Sequence, residues 1–108
     1  MSSSRNRIVL LAKKSGITSF SSLWQIKDAL ETKKVGHTGT LDTFAEGLLV
    51  ALSGSLTRLC PLITNSDKEY LARIVFGSET DTLDPDGTIV KSGNLPLLSD
   101  LQETLPKF

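Results

Sequence analysis

Between residues 35 and 47 the apolar periodicity that marks most of this chain stops. Val35 is followed by Gly36, His37, Thr38, Gly39, Thr40, Leu41 and Asp42, and a third glycine, Gly47, closes a largely polar stretch. It shows neither the alternation of a half-buried strand nor the spacing of an amphipathic helix, so it is read as a long structured loop. Long loops inside compact domains are often functional. The break divides the chain into regular segments before it and after it.

Before the loop, Ile8, Val9, Leu10 and Leu11 form a short apolar run of the kind that makes a buried strand, read over residues 7–12. Gly16 ends that pattern. Thr18 or Ser19 then supplies an N-cap for a helix carrying Phe20, Leu23, Trp24, Ile26, Ala29 and Leu30, with Lys33 and Lys34 suited to its C-terminal end. After the loop comes the unbroken apolar run Leu48 to Leu52. A short helix is expected from Ser55 through Leu56, Leu59, Cys60 and Ile63, kinked or shortened by Pro61. Residues 69–76 alternate, with Tyr70, Ala72, Ile74 and Phe76 on one face and Leu71, Arg73 and Val75 on the other, and predict a strand. Pro85, Asp86 and Gly87 predict a turn, residues 88–91 a short strand, and Ser99 the cap of a last helix through Leu101 and Leu105. Strands in hairpin-like order with separate helices indicate an α+β fold.

At 108 residues with 39% hydrophobic content, the chain is sized for at most one small domain. No apolar run reaches the length of a signal peptide or membrane span, which points to a cytoplasmic protein. Cys60 is the single cysteine and reads as a small core residue. The net charge of zero hides a polarity: residues 1–35 hold seven Lys/Arg against Asp28 and Glu31, while the remainder holds five against ten. A basic first third suits phosphate contact or an ordinary solvated surface, and charge alone does not choose between them.

The glycine-rich loop is not a phosphate cradle, because a P-loop needs Lys and then Ser or Thr after its second glycine, where Thr40 and Leu41 stand. Asp81, Asp84, Asp86 and Gly87 fail as a calcium loop, since aligning Gly87 with the turn glycine puts Thr82 at the first ligand position and Gly93 where a bidentate Glu belongs. One His and one Cys, far apart, do not make a zinc site. What remains is Asp42, a carboxylate on the loop just ahead of an apolar strand. Such a group serves either as a nucleophile toward a sugar carbon or an activated base, or as a cap for the turn around Phe44 and Ala45. His37 is open in the same way, between a loop hydrogen bond and a ligand contact.

The run GHTGTLDTFAEGLLV, Gly36 to Val50, resembles the catalytic motif of TruB-type pseudouridine synthases, which reads much like GHTGTLDPxATGLL. The segment LLAKKSGITSF is similar to the family's LLLDKPxGxTS, and SDKEYLARIVFGSETDTLDPDG to its stretch with a Lys, a Tyr and TDTxDxxG. Ala12 and Lys14 replace the usual Asp and Pro around Lys13. Thr43 and Glu46 replace the usual Pro and Thr or Ser.

The resemblance implies the catalytic fold of pseudouridine synthases, a mixed and largely antiparallel sheet flanked by helices, with residues 1–108 as its N-terminal portion. It places the family's nucleophile at Asp42 and the tyrosine that packs on the target base at Tyr70. His37, Lys13, Lys33 and Lys34 are the further substrate-binding candidates. The implied reaction breaks the C1′–N1 bond of a uridine in the T loop of tRNA, turns the uracil and rejoins it through C5, with no metal and no cofactor. Two alternatives are a guide-RNA-dependent relative acting on ribosomal RNA and an RNA-binding fragment without catalysis. The serine-rich lead-in, with no long basic extension, fits the bacterial, tRNA-directed type. The family's catalytic domain continues past the point matching Phe108 and supplies a basic partner for the aspartate, and an RNA-binding module follows it. The chain alone is therefore expected to be inactive and, with strand edges exposed, prone to self-association.

Overall fold

The computed structural model describes residues 5–108; the serine-rich lead-in, residues 1–4, lies outside them. The chain divides into two compact units, one ending at Lys68 and the other Glu69–Phe108. The architecture is α+β, with two small antiparallel sheets and short helices.

In the first unit, strands β1 (Ile8–Lys13), β2 (Val35–His37) and β3 (Gly47–Ser53) form a sheet in the order β1-β3-β2, with both pairings antiparallel. Ala51 stands opposite both Val9 and His37, and Lys13 opposite Gly47. Residues opposite one another share a face. One face, carrying Val9, Leu11, Leu49 and Ala51, packs on Leu23, Ile26 and Leu30 to make the core. On the other, Leu52 is fully buried while Ile8, Leu10 and Leu48 stay exposed. The expectation of a fully buried first strand is therefore corrected: β1 alternates between the core, where α2 packs, and a face on which its own Ile8 and Leu10 stay open. A run of four apolar residues cannot by itself report whether one face or two are covered.

The helical segment between β1 and β2 comprises α1 (Ser19–Ser22) and α2 (Trp24–Leu30), with Leu23 between them. Thr18 is the N-cap, its side-chain oxygen accepting the Ser21 N–H at 3.0 Å. The helix ends at Glu31 in a left-handed conformation, φ 50°, where its N–H reaches the Asp28 carbonyl. Lys27 lies over the rings of Phe20 and Trp24, at 5.1 and 4.8 Å from their centroids, and the two rings meet edge to face.

The irregular segment is shorter than its polarity suggested, since Val35–His37 joins the sheet as β2 and takes up the first residues of the expected loop. A Cβ added at Gly36 would stand 3.3 Å from Cys60 Sγ, so the missing side chain lets the strand pass close over that thiol. After β3, a 3₁₀ turn (Gly54–Leu59) leads into α3 (Cys60–Thr64). Pro61 does not kink this helix but falls in its first turn, where its missing N–H has no carbonyl to serve.

In the second unit, β4 (Ser78–Thr80) and β5 (Ile89–Ser92) form an antiparallel pair. The expected strand over residues 69–76 is not formed: no described strand pairs with the segment, and all eight side chains are exposed. Alternation encodes which faces a strand would present, but a strand also needs backbone partners, and the sheet here begins only at Ser78. The final helix α4 (Leu98–Thr104) starts before Ser99 rather than at it, with the Asp100 carboxylate accepting the Leu97 N–H. No helix among the described residues is long and apolar enough to cross a membrane.

Candidate active site

Asp42 lies on the loop between β2 and β3, with its side chain exposed. Its backbone carbonyl accepts the Ala45 N–H at 3.0 Å and closes a tight turn over Thr43 and Phe44. The capping alternative assigned that work to the carboxylate, but the main chain performs it. Among the described residues the carboxylate has no hydrogen-bond partner, and it is left open to a ligand.

The loop around this carboxylate is fastened from several sides. Lys13, at the end of β1, is 2% exposed. Its ammonium donates to the carbonyls of Ala45 at 2.6 Å, Lys14 at 3.0 Å and Thr43 at 3.4 Å. Three donors meeting three acceptors satisfy the ammonium completely. The segment after β1 adds two more bonds, from the Gly16 N–H to the Thr43 carbonyl at 2.7 Å and from the Ser15 hydroxyl to the Phe44 carbonyl at 2.7 Å. Ahead of Asp42, buried Ser19 bonds both backbone groups of Leu41. The Thr38 N–H and hydroxyl both donate to the Val50 carbonyl, at 2.9 and 3.0 Å.

His37 is half-buried at the end of β2, its Nδ1 2.5 Å from the Gly39 carbonyl. A carbonyl only accepts, so Nδ1 carries the proton; in the neutral ring Nε2 is then an acceptor for another group. The loop hydrogen bond is therefore made, and one ring nitrogen is left over. Gly39 itself has φ 140°, a backbone conformation that side-chain-bearing residues rarely adopt. Lys68 lies alongside, its Cε 3.7 Å from where a Cβ on Gly39 would stand, with its ammonium donating to the Thr64 carbonyl.

Asp42, His37 and Lys13 thus belong to one loop system in the first unit. Lys33 and Lys34 follow α2 with exposed side chains, and their backbones are tied down by bonds from Val35 N–H to the Lys33 carbonyl and from Gly54 N–H to the Lys34 carbonyl. Tyr70 belongs to the second unit and is 67% exposed. Sequence reasoning did not single out Ser15, Ser19 or Lys68 as parts of this loop system. The first two lie in the LLAKKSGITSF segment, and their chemistry is hydrogen bonding to distant backbone, which spacing does not encode. Among the described residues no group of three or more His, Cys, Asp or Glu is gathered to hold a metal ion.

Residues 27–108 match the model of the TruB family pseudouridylate synthase N-terminal domain. The chain belongs to the TruB family. It is 53% identical over all 108 residues to the tRNA pseudouridine synthase B of Treponema denticola, covering 30% of that protein. It is 52% identical to the protein of the same name from Treponema pallidum over 94% of the chain and 28% of the relative. For the Borreliella burgdorferi protein the figures are 48% identity, 95% of the chain and 37% of the relative. The chain thus spans roughly a third of the length of these curated TruB relatives.

Proposed function

We propose that this TruB segment is the N-terminal portion of a pseudouridine synthase catalytic domain, and that the protein isomerises uridine to pseudouridine in the T loop of tRNA with Asp42 as nucleophile. The observation that carries the reading is an exposed carboxylate without a hydrogen-bond partner among the described residues, on a loop whose backbone is fastened before and after it. A nucleophile needs this combination of a fixed position and a free reacting atom. The names of the TruB relatives support tRNA as the substrate.

In this reading the target uridine is flipped out of its stack, at a cost of a few kcal/mol. Exposed Tyr70 supplies a face for the extruded base, since stacking on an aromatic offsets part of that cost. Asp42 then attacks the ribose or the base, the C1′–N1 bond breaks, the uracil turns and a C1′–C5 bond forms; the bond to Asp42 is released, the C5 hydrogen leaves as a proton and N1 takes up a proton, so the carboxylate is regenerated. Lys33 and Lys34 meet backbone phosphates, and His37 offers Nε2 and its ring edge to the RNA. Lys13 acts through the loop backbone it binds, its own head being buried.

The test is tritium release from C5-labelled uridine in a T-arm RNA, using the full-length protein that carries this chain beside its Asp42→Asn variant. Release by the wild type alone, without any guide RNA, is the expected result. Release only when a guide RNA is added would move the protein to the guide-dependent class, and release by neither protein would remove the enzyme reading.

A further inference from the structure

We infer that Ser19 is a positioning residue for the Asp42 carboxylate, acting through the backbone of Leu41. The inference rests on Asp42 being the nucleophile.

Ser19 is 2% exposed and begins α1, far in sequence from the loop it touches. Its hydroxyl donates to the Leu41 carbonyl at 2.9 Å and accepts the Leu41 N–H at 2.8 Å. One hydroxyl thus satisfies both backbone groups of a single residue, using one donor and one lone pair. The Leu41 carbonyl lies in the same planar peptide unit as the Asp42 nitrogen. Holding that carbonyl fixes the plane through which the chain enters Asp42. The plane by which the chain leaves is fixed too, since the Asp42 carbonyl accepts from Ala45 and the Thr43 carbonyl from Gly16. With both peptide planes held, the freedom left at Asp42 is essentially that of its side-chain torsions.

The downstream side is secured several times over, by Lys13, Ser15, Gly16 and Ala45. Immediately upstream, Ser19 is the one partner of both backbone groups of Leu41 among the described residues. Removing this hydroxyl releases one side of the nucleophile without touching the carboxylate, the RNA-facing lysines or Tyr70. Misplacement of a reacting group by about 1 Å can cost about 100-fold in rate. Ser22 gives a matched control: it is also buried on α1, and its hydroxyl donates only to the Thr18 carbonyl one turn back.

The experiment measures single-turnover tritium release and T-arm RNA affinity for the full-length wild type, Asp42→Asn, Ser19→Ala, Ser19→Cys and Ser22→Ala. Ser19→Ala should lower the rate of release by about 10- to 100-fold with RNA affinity held within about twofold. Ser22→Ala should stay close to wild type, and Ser19→Cys, whose thiol is a weak donor and acceptor, should fall between. A Ser19→Ala rate near that of wild type would overturn the inference, as would an equal loss in Ser22→Ala or a loss carried by affinity. Should Ser19→Ala fail to fold, Ser19→Cys is read against the same outcomes. Failure of the underlying reading is distinct: Asp42→Asn would then release tritium as the wild type does, whatever Ser19 does.

Discussion

Replacing Lys13 by Met keeps most of the apolar stem and deletes the ammonium that grips the loop. Of its three acceptors, the Lys14 carbonyl belongs to the next residue and the Thr43 contact is long at 3.4 Å, so the 2.6 Å bond to Ala45 dominates. Ala45 is partly buried, so water replaces the lost donor poorly there, whereas exposed Thr43 is readily hydrated and keeps its bond from Gly16. An acceptor left without its donor costs about 1–3 kcal/mol. At about 1.4 kcal/mol per tenfold, local opening of the loop should rise about 5- to 150-fold. Amide hydrogen exchange reads this directly at three N–H groups bonded within the loop system: Leu41 to Ser19, Gly16 to Thr43, and Ala45 to Asp42. The measurement compares these amides with those of β3, which should change little. Unchanged exchange at Ala45 and Gly16 in a folded Lys13→Met protein would refute the claim that the buried ammonium holds the loop.

Thr18→Ala removes the side-chain acceptor at the start of α1 and should cost about 0.5–2 kcal/mol, seen as a lower urea midpoint with an unchanged slope. Glu31→Gly relieves the left-handed conformation at the end of α2, and the gain of about 1–2 kcal/mol, less the entropic cost of glycine of about 0.5–1 kcal/mol, should leave a small net stabilisation in the same measurement. Lys33→Gln with Lys34→Gln should reduce the salt slope of tRNA binding by about 1–2, and an unchanged slope would remove both residues from the RNA interface.

Much of the first unit was legible in the sequence, because its elements are built from local signals. Thr18 caps because it stands just before a helical apolar period, and the apolar runs on either side of the loop became β1 and β3. The sequence was misleading where structure depends on partners distant in the chain. Residues 69–76 alternate as a strand should, yet alternation cannot supply the backbone groups a strand must bond. Val35–His37 reads as loop because a glycine and a histidine interrupt its apolar pattern, but the free edge of β3 recruits it into the sheet. At the candidate site, Asp42 and His37 were visible as polar residues on a glycine-rich loop. Ser19 was visible only as a helix cap, since nothing in a cap signal says that the hydroxyl turns instead to Leu41.

The same backbone character explains why departures from the family's pattern leave the loop intact. Lys14 and Thr43, which stand where the resembling motifs carry proline, contribute only their carbonyls to the network, a group proline retains. Among the described residues no hydrogen bond is recorded from the Thr43 N–H, so proline would forfeit none there. The Ala45 N–H bond to the Asp42 carbonyl makes Thr43 the second residue of a tight turn, the position proline favours, and Thr43 has no positive φ to obstruct the ring. Proline there also biases the preceding residue, Asp42, toward extended backbone. Thr43→Pro should therefore stabilise the protein by about 0.4–1 kcal/mol, chiefly by restricting the unfolded chain, with tritium release retained. A lowered urea midpoint would show that the turn's backbone does not match proline's fixed φ. Retained stability with a lost rate would show instead that Asp42 needs a backbone freedom that threonine at this position preserves.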